Sequence, residues 1–502
     1  MGDNKKCELK SNIPENLGIS SSAILKFVNH LESRKLCLHS FMILRGGEIA
    51  AEGYYPPFAP DTLHRMYSTS KTFVAVAIGM LIDEKKLKLE NKVADFFPEY
   101  LPKNLHPYIA EATVRDLLMM ATPFEWTTYG ASDKNWVWTF FNREPSHKGG
   151  AVFCYNTSAT VVLNAIVEKI SGKELLDYMR PRLLDRLGFS KDTFCIQRPE
   201  GGAWGGSGVM CSTHDLAKFA LFLLGRGKWN GEQLVSKDYM AQATSAQIDN
   251  RLSTTNPELQ FGYGYQIWRT RNNGFATIGM GSQISVCVPE LDLVFLTTAD
   301  TQIIPNGNDI ILDAFWSDVY PHVTKSPSEK LPADEPAYEK LQHKLKNLEF
   351  LPVDGEPTSL ISHELYSEKK YIMGQNRMNI SSVQFVFGKD FGIMNYTNKT
   401  GTHEIRFGIC KYEDEIKQFP ETHYFGRQIG IPKGSGYRYK ASGAWFDEES
   451  LVIYLYVIDD YLGTLKINAR FLENGKNLTL FLSKSAEWFL DEYEGIASGA
   501  AE

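Results

Sequence analysis

The sequence is poor in the features that would place it in several large classes of protein. It has no Cys-x-x-Cys, and its seven cysteines (Cys7, Cys37, Cys154, Cys195, Cys211, Cys287 and Cys410) are scattered. An odd, dispersed set argues against a disulfide framework or a zinc site and fits a reducing compartment. The 11 histidines form no His-Glu-x-x-His or other close pair, so no metal is expected. Blocks of Lys or Arg are absent, and 53 basic against 60 acidic residues leave a net charge of −7. A nucleic-acid partner would ordinarily leave a basic footprint, and none is present. No run reaches the roughly 18 apolar residues of a membrane span, so no membrane partner is expected. The opening Met1-Gly2-Asp3-Asn4-Lys5-Lys6-Cys7 leads into polar sequence without an apolar leader core, which points to a cytoplasmic protein.

What is present is material for a large core. Of 502 residues, 43% are hydrophobic and 23% charged, which rules out a disordered or fibrous chain. At about 100–200 residues per domain, the length predicts two to four domains. The clearest break in texture is the polar stretch Thr324-Lys325-Ser326-Pro327-Ser328-Glu329-Lys330-Leu331-Pro332-Ala333-Asp334-Glu335-Pro336, with its three prolines. It reads as a linker over 324–337, between a domain over 1–323 and a second over 338–502.

Upstream, Phe41-Met42-Ile43-Leu44, Gly46-Gly47 and Glu48-Ile49-Ala50-Ala51-Glu52 read as a β-hairpin. Helical spacing predicts a buried helix over 72–87 and further helices around Val161-Val162-Leu163 and over 216–223. Residues 261–269, 284–289 and 294–298 read as strands. Downstream, 381–387, 404–407, 451–458, 465–471 and 478–482 read as successive strands, a β-rich domain built as a sandwich or barrel.

Nucleophile motifs narrow the chemistry. Gly-x-Ser-x-Gly is absent, which removes support for an α/β-hydrolase elbow. Ser-x-x-Lys occurs twice, at Ser68-Thr69-Ser70-Lys71 and Ser367-Glu368-Lys369-Lys370. The second lies among charged residues and reads as surface loop. The first directly precedes Thr72-Phe73-Val74-Ala75-Val76-Ala77-Ile78-Gly79-Met80-Leu81-Ile82, apolar all round, the pattern of a buried helix. A serine at the start of such a helix has unpaired backbone N–H groups nearby and a favourable dipole for negative charge. Lys71 falls one turn on, on the same face. Desolvation lowers the pKa of a lysine packed against apolar groups and turns it into a base, the partner a serine hydroxyl needs. By itself, this spacing is equally that of a capping serine and a surface lysine.

Ser68-Thr69-Ser70-Lys71 ahead of an apolar helix resembles the serine β-lactamases and penicillin-binding proteins, most closely the class C β-lactamase-like group. Phe153-Cys154-Tyr155-Asn156-Thr157-Ser158-Ala159 resembles that group's Tyr-x-Asn element. Gly205-Gly206-Ser207-Gly208 resembles its glycine-rich segment, and Tyr263-Gly264-Tyr265-Gln266-Ile267-Trp268 with Gly279-Met280-Gly281-Ser282-Gln283 its opposite wall. The resemblance spans about residues 20–320, in the family's order. It implies an α/β (α+β) fold, an antiparallel sheet flanked by helices plus a helical subdomain, with the site between them.

The same resemblance implies roles. Ser68 would be the acylating nucleophile, Lys71 and Tyr155 would share the proton, and the backbone N–H groups of Ser68 and Met280 would form the oxyanion hole. A lysine beside Tyr155 would lower the phenol's pKa from its ordinary value near 10. Thr157, Gly279, Gly281, Trp204 and Tyr129 are the expected substrate-binding residues. The aromatics Phe124, Trp126, Tyr129, Trp136, Trp138 and Phe140, and Trp204 beside them in character, read either as pocket lining or as helical-subdomain core.

Two departures bear on substrate. Thr157 replaces the family's asparagine, and Ala276-Thr277-Ile278 before Gly279 lacks the cation of Lys-Thr-Gly. In the β-lactamases and carboxypeptidases that cation helps to hold the substrate carboxylate, and a charge-assisted bond contributes about 1.5–3 kcal/mol. The expectation is therefore a carboxylesterase or amidase with a small-molecule substrate and no cofactor, similar to the aminohexanoate-oligomer hydrolases. The alternatives are β-lactamase or D-amino-acid peptidase activity, or a non-turnover acylation sensor on the same fold. Homo-oligomerisation is left open.

Overall fold

A computed structural model describes residues 8–357, 365–419 and 437–502. The N-terminal segment read above, with Cys7, lies outside them.

The chain divides into two compact units. One runs to Thr301 and resumes over Asn306–Glu349; the other comprises Gln302–Pro305 and Phe350–Glu502. In the first, Leu38–Arg45 and Glu48–Tyr54 form the predicted hairpin about Gly46 and Gly47, both at positive φ (60° and 78°), as a tight hairpin turn requires. They continue into a six-stranded antiparallel sheet in the order Glu48–Tyr54, Leu38–Arg45, Leu293–Ala299, Gln283–Val288, Phe275–Gly279 and Trp268–Arg269.

Every residue of the Leu38–Arg45, Gln283–Val288 and Leu293–Ala299 strands is buried, because helices cover both faces. On one face Phe27 of the Ser21–Ser33 helix meets Phe41 and Phe295 edge-on at 6.0 and 5.4 Å. On the other, the Thr213–Leu224 helix lies against the strands, with Cys287 Sγ donating to the Ala220 carbonyl and Ser40 Oγ bonded to Thr213 Oγ1. A sheet with one covered face would alternate buried and exposed along each strand; here both residue sets are buried, which is why periodicity alone does not separate strand from helix.

The predicted helix at 72–87 is observed as Ser70–Asp83, with residues 70–81 all buried. It ends where Lys85 adopts a left-handed φ of 59°. The expected strand at 261–269 is corrected: only Trp268–Arg269 pairs with the sheet. Gly262 (φ 95°) and Gln266 (φ 58°) bend the chain before it, so an extended run cannot form.

The polar stretch at 324–337 is not a spacer between the units. Arg45 Nη1 and Nη2 donate to Thr324 Oγ1 and its carbonyl at 2.7 and 2.6 Å, and Leu331 N donates to the Glu15 carbonyl. From Glu335 to Lys346 the chain is helical, packing on Ser21–Ser33 through buried Leu341 and a Lys344–Glu32 ion pair. The division falls after Glu349, later than composition indicates, because the last of the prolines, Pro336, sits in the first turn of a helix instead of keeping the chain extended.

The second unit is a β-barrel. Its strands follow one another from Gly401–Ile409 round to Arg438–Trp445, and a parallel pairing of Gly408 with Ser442 and Ile409 with Gly443 closes the ring. Val383, Phe385, Ile405, Phe407, Leu465, Ile467, Leu478 and Leu480 alternate inward to fill it. The strand readings at 381–387, 404–407, 451–458, 465–471 and 478–482 all fall on observed strands. Among the described residues, no helix is long and apolar enough to cross a membrane.

Candidate active site

Ser68 lies on a 3-10 turn, Tyr67–Thr69, that runs directly into the Ser70–Asp83 helix. It therefore sits just outside the helix, not within its first turn. The β-branched Val74, Val76 and Ile78 are moderate helix formers, and burial on every side stabilises the helix they belong to.

The hydroxyl residues around Ser68 pin the turn. Thr69 Oγ1 donates to the Gln283 carbonyl at 2.9 Å, Thr72 Oγ1 donates to the Gln266 carbonyl at 2.9 Å, and Ser70 Oγ accepts from Val209 N at 3.0 Å. Ser68 itself stays partly exposed, while Lys71 is 1% exposed. Lys71 Nζ donates to Ser68 Oγ at 3.1 Å and to the Gly206 carbonyl at 2.6 Å, and lies 5.4 Å from the centre of the Tyr155 ring. Three segments distant in sequence thus converge on one hydroxyl.

Tyr155 precedes the Thr157–Ser171 helix, whose N-cap is Asn156. The Asn156 side chain accepts from Ser158 N at 2.9 Å and donates through Nδ2 to the Trp126 carbonyl at 2.8 Å. One buried amide therefore fixes both the helix start and the loop carrying Trp126. Sequence reading passed over Asn156; an asparagine just ahead of a helical run is its signal. Tyr155 also shares a hydrogen bond with Ser68. Its pKa runs opposite to the expectation: burial pushes it up to about 12, and the bond to Ser68, the smaller effect, only moderates this. Removing water from the phenolate costs more than its partners return.

The opposite wall is set by close backbone approach. Gly279 packs so tightly that a Cβ there would collide with the Met66 carbonyl and approach Gln283 Cβ at 3.1 Å. This brings the end of the Phe275–Gly279 strand against the serine turn. Gln283 Nε2 donates to the Met280 and Ala299 carbonyls at 3.0 and 2.6 Å, which fixes the Met280 peptide. Ser68, Tyr155, Gly279 and Met280 all line one cavity of about 580 Å³.

The rest of that lining differs from the sequence reading. Trp126, Phe153, Trp268, Leu259 and Ile278 supply apolar wall, with Trp268 stacked on Tyr155 at 5.3 Å and 24°. Trp204, Tyr129, Thr157 and Gly281 do not line it. Trp204 is buried, its Nε1 donating to the Tyr129 hydroxyl, while Tyr129 stacks on Trp136 at 4.2 Å. These rings, with Phe124 and Phe140, are helical-subdomain core. The Thr157 methyl packs toward Gly206, and Gly281 turns behind the strand toward the Ala299 carbonyl. Among the described residues, no group of three or more His, Cys, Asp or Glu is arranged to hold a metal ion.

The Beta-lactamase family model matches residues 38–303, a span that holds Ser68, Lys71, Tyr155, Gly279 and Met280. The chain belongs to that family. Its members are β-lactamase-fold hydrolases, and the match stops short of the barrel. The chain is 26% identical over 274 residues to a 6-aminohexanoate-dimer hydrolase of Paenarthrobacter ureafaciens, covering 50% of this chain and 69% of that protein. Among solved structures, a putative 6-aminohexanoate-dimer hydrolase from Bacillus anthracis superposes with a TM-score of 0.52 at 19% identity, covering 63% of this chain and 88% of that one. A penicillin-binding protein homologue from Caulobacter crescentus gives a TM-score of 0.49 at 15% identity, covering 62% and 100%.

Proposed function

We propose that this family member is a serine hydrolase of ester or amide bonds, a carboxylesterase or amidase working through an acyl-enzyme on Ser68. The observation that carries the reading is the 3.1 Å contact from buried Lys71 to a Ser68 hydroxyl facing a cavity. Ser68 Oγ attacks the substrate carbonyl carbon as its proton passes to an unprotonated Lys71 amine, directly or relayed through the neutral Tyr155 hydroxyl. The backbone N–H groups of Ser68 and Met280 receive the oxyanion. The bond to the leaving group then breaks, and the pair returns the proton to the departing oxygen or nitrogen. Water attacks the acyl carbon, gives a proton to the pair, and releases the acid with Ser68 restored.

The raised pKa supports one feature of this scheme: Tyr155 begins neutral and acts as a relay, not as a standing phenolate. A relative named for hydrolysis of the 6-aminohexanoate dimer supports extending the chemistry from esters to linear amides. The test is turnover of p-nitrophenyl acetate, butyrate and octanoate by wild type and Ser68→Ala. Turnover that falls to the uncatalysed rate in the variant supports the proposal; equal turnover by both rejects it.

A further inference from the structure

The cavity beside Ser68 carries an asymmetry of charge and surface that bears on substrate class. Its polar and apolar linings are unevenly placed. Phe153, Tyr155 and Trp268 form one continuous aromatic wall: Phe153 meets Trp268 edge-on at 5.7 Å, and Trp268 lies nearly flat on Tyr155. Leu259 and Ile278 extend it. At the mouth stands Trp126, 73% exposed, an unusual position for a residue with so much apolar area. Leu252, fully exposed, is next in sequence to Ser253 of the lining.

Among the described residues lining the cavity, none is Lys, Arg or His, and Glu125 is the one charged side chain. Glu125 is held at the rim, where its backbone N–H donates to Ser146 Oγ at 3.1 Å. Its charge reaches inward: together with burial, it raises the pKa of Cys154, the lining residue next to Tyr155. A carboxylate entering this space meets a like charge at the rim, while the buried Lys71 amine lies behind Ser68 and is engaged by the Gly206 carbonyl.

Resting on the serine-hydrolase reading, we infer that the substrate presents an apolar acyl group that carries no carboxylate, and that Glu125 is a specificity-determining residue that turns anionic acyl groups away. The aromatic wall supplies the affinity and the carboxylate at the rim supplies the discrimination.

A matched pair of esters tests this: p-nitrophenyl hexanoate and the p-nitrophenyl monoester of adipic acid, equal in chain length and differing in a terminal carboxylate. The expected kcat/KM ratio favours hexanoate by about tenfold or more in wild type and shrinks at high salt. Glu125→Gln narrows that ratio at least about threefold, and Glu125→Lys narrows it further. Trp268→Ala raises KM for hexanoate more than for acetate, because only the longer chain reaches the wall. Equal use of the two esters by wild type overturns the inference, as does a ratio untouched by both Glu125 variants, and each leaves the hydrolase reading standing. Failure of wild type to turn over any ester, with no covalent labelling of Ser68, removes that reading and the inference with it.

Discussion

Lys71 Nζ is held more closely by the Gly206 carbonyl, at 2.6 Å, than by Ser68 Oγ, at 3.1 Å. The backbone of the glycine-rich turn therefore sets where the amine sits, and the serine is presented to it. In the proposed mechanism the amine must exchange a proton with Ser68, which a guanidinium cannot do because it stays protonated. Lys71→Arg and Lys71→Met are both expected to lower kcat for p-nitrophenyl butyrate by about 10²–10⁴-fold. Lys71→Arg retaining activity close to wild type would show that only the positive charge matters.

Arg65 ties the two halves of this contact together. Its guanidinium lies over the rings of Tyr67 (4.2 Å) and Trp204 (4.6 Å), and its Nε and Nη2 donate to the carbonyl and Oγ of Ser207, each at 3.0 Å. Tyr67 immediately precedes Ser68 and holds a φ of 45°, a conformation that a side-chain-bearing residue adopts only under constraint. Arg65→Lys keeps the charge and loses the planar fork. Its expected effect is a fall in kcat of about 10²-fold with KM changed little, since a small misplacement of reacting groups has that scale. Steady-state kinetics well below the melting temperature of each protein check it; a rise in KM at constant kcat would assign Arg65 to substrate binding instead.

Gly279 makes a steric prediction. A methyl group there drives the Phe275–Gly279 strand off the Met66 carbonyl and moves Met280 relative to Ser68. Gly279→Ala should reduce acyl-enzyme formation, measured as the rate of phosphonylation, by more than tenfold, on the order of the loss from one oxyanion donor. Labelling at the wild-type rate would mean that this wall does not contact the transition state.

The paired histidines His39 and His64 set an acid limit on stability. Their ring nitrogens are 2.9 Å apart, both rings are buried, and burial lowers both pKa values, that of His64 to about 4 from 6.5. The unfolded chain protonates these rings below about pH 6.5, and the folded chain resists until far lower. Stability is therefore intact above that pH and lost as pH falls toward 4, at about 1.4 kcal/mol per pH unit for each ring. Urea unfolding at about pH 7 and pH 5 should show a smaller pH-dependent loss in His64→Gln than in wild type. An identical loss in both would place the acid sensitivity elsewhere.

The neighbourhood of the candidate nucleophile was legible in the sequence because its signals are local. Ser68 and Lys71 are three residues apart before an apolar helix, and Tyr155 stands just before another. The partition of aromatics was not legible. Trp126 and Trp268 line the cavity while Trp204, Tyr129 and Trp136 are core, yet all are aromatic residues in loop-like sequence. What separates them is whether a packed ring also borders the cavity, a tertiary fact. The direction of the Tyr155 shift was not legible for a related reason: a neighbouring lysine is readable from motif order, whereas the burial that raises the phenol's pKa is not. In the barrel the opposite holds. Alternation along its strands is a two-residue pattern, and the sequence displays it directly.

The central claim is that Ser68 becomes covalently acylated, and the intact mass of the protein after a fluorophosphonate probe tests it most directly. Wild type should gain the mass of one phosphonyl group, mapped to the peptide carrying Ser68, and Ser68→Ala should gain none. Equal labelling of the two proteins, or an adduct mapped to another residue, would contradict the account.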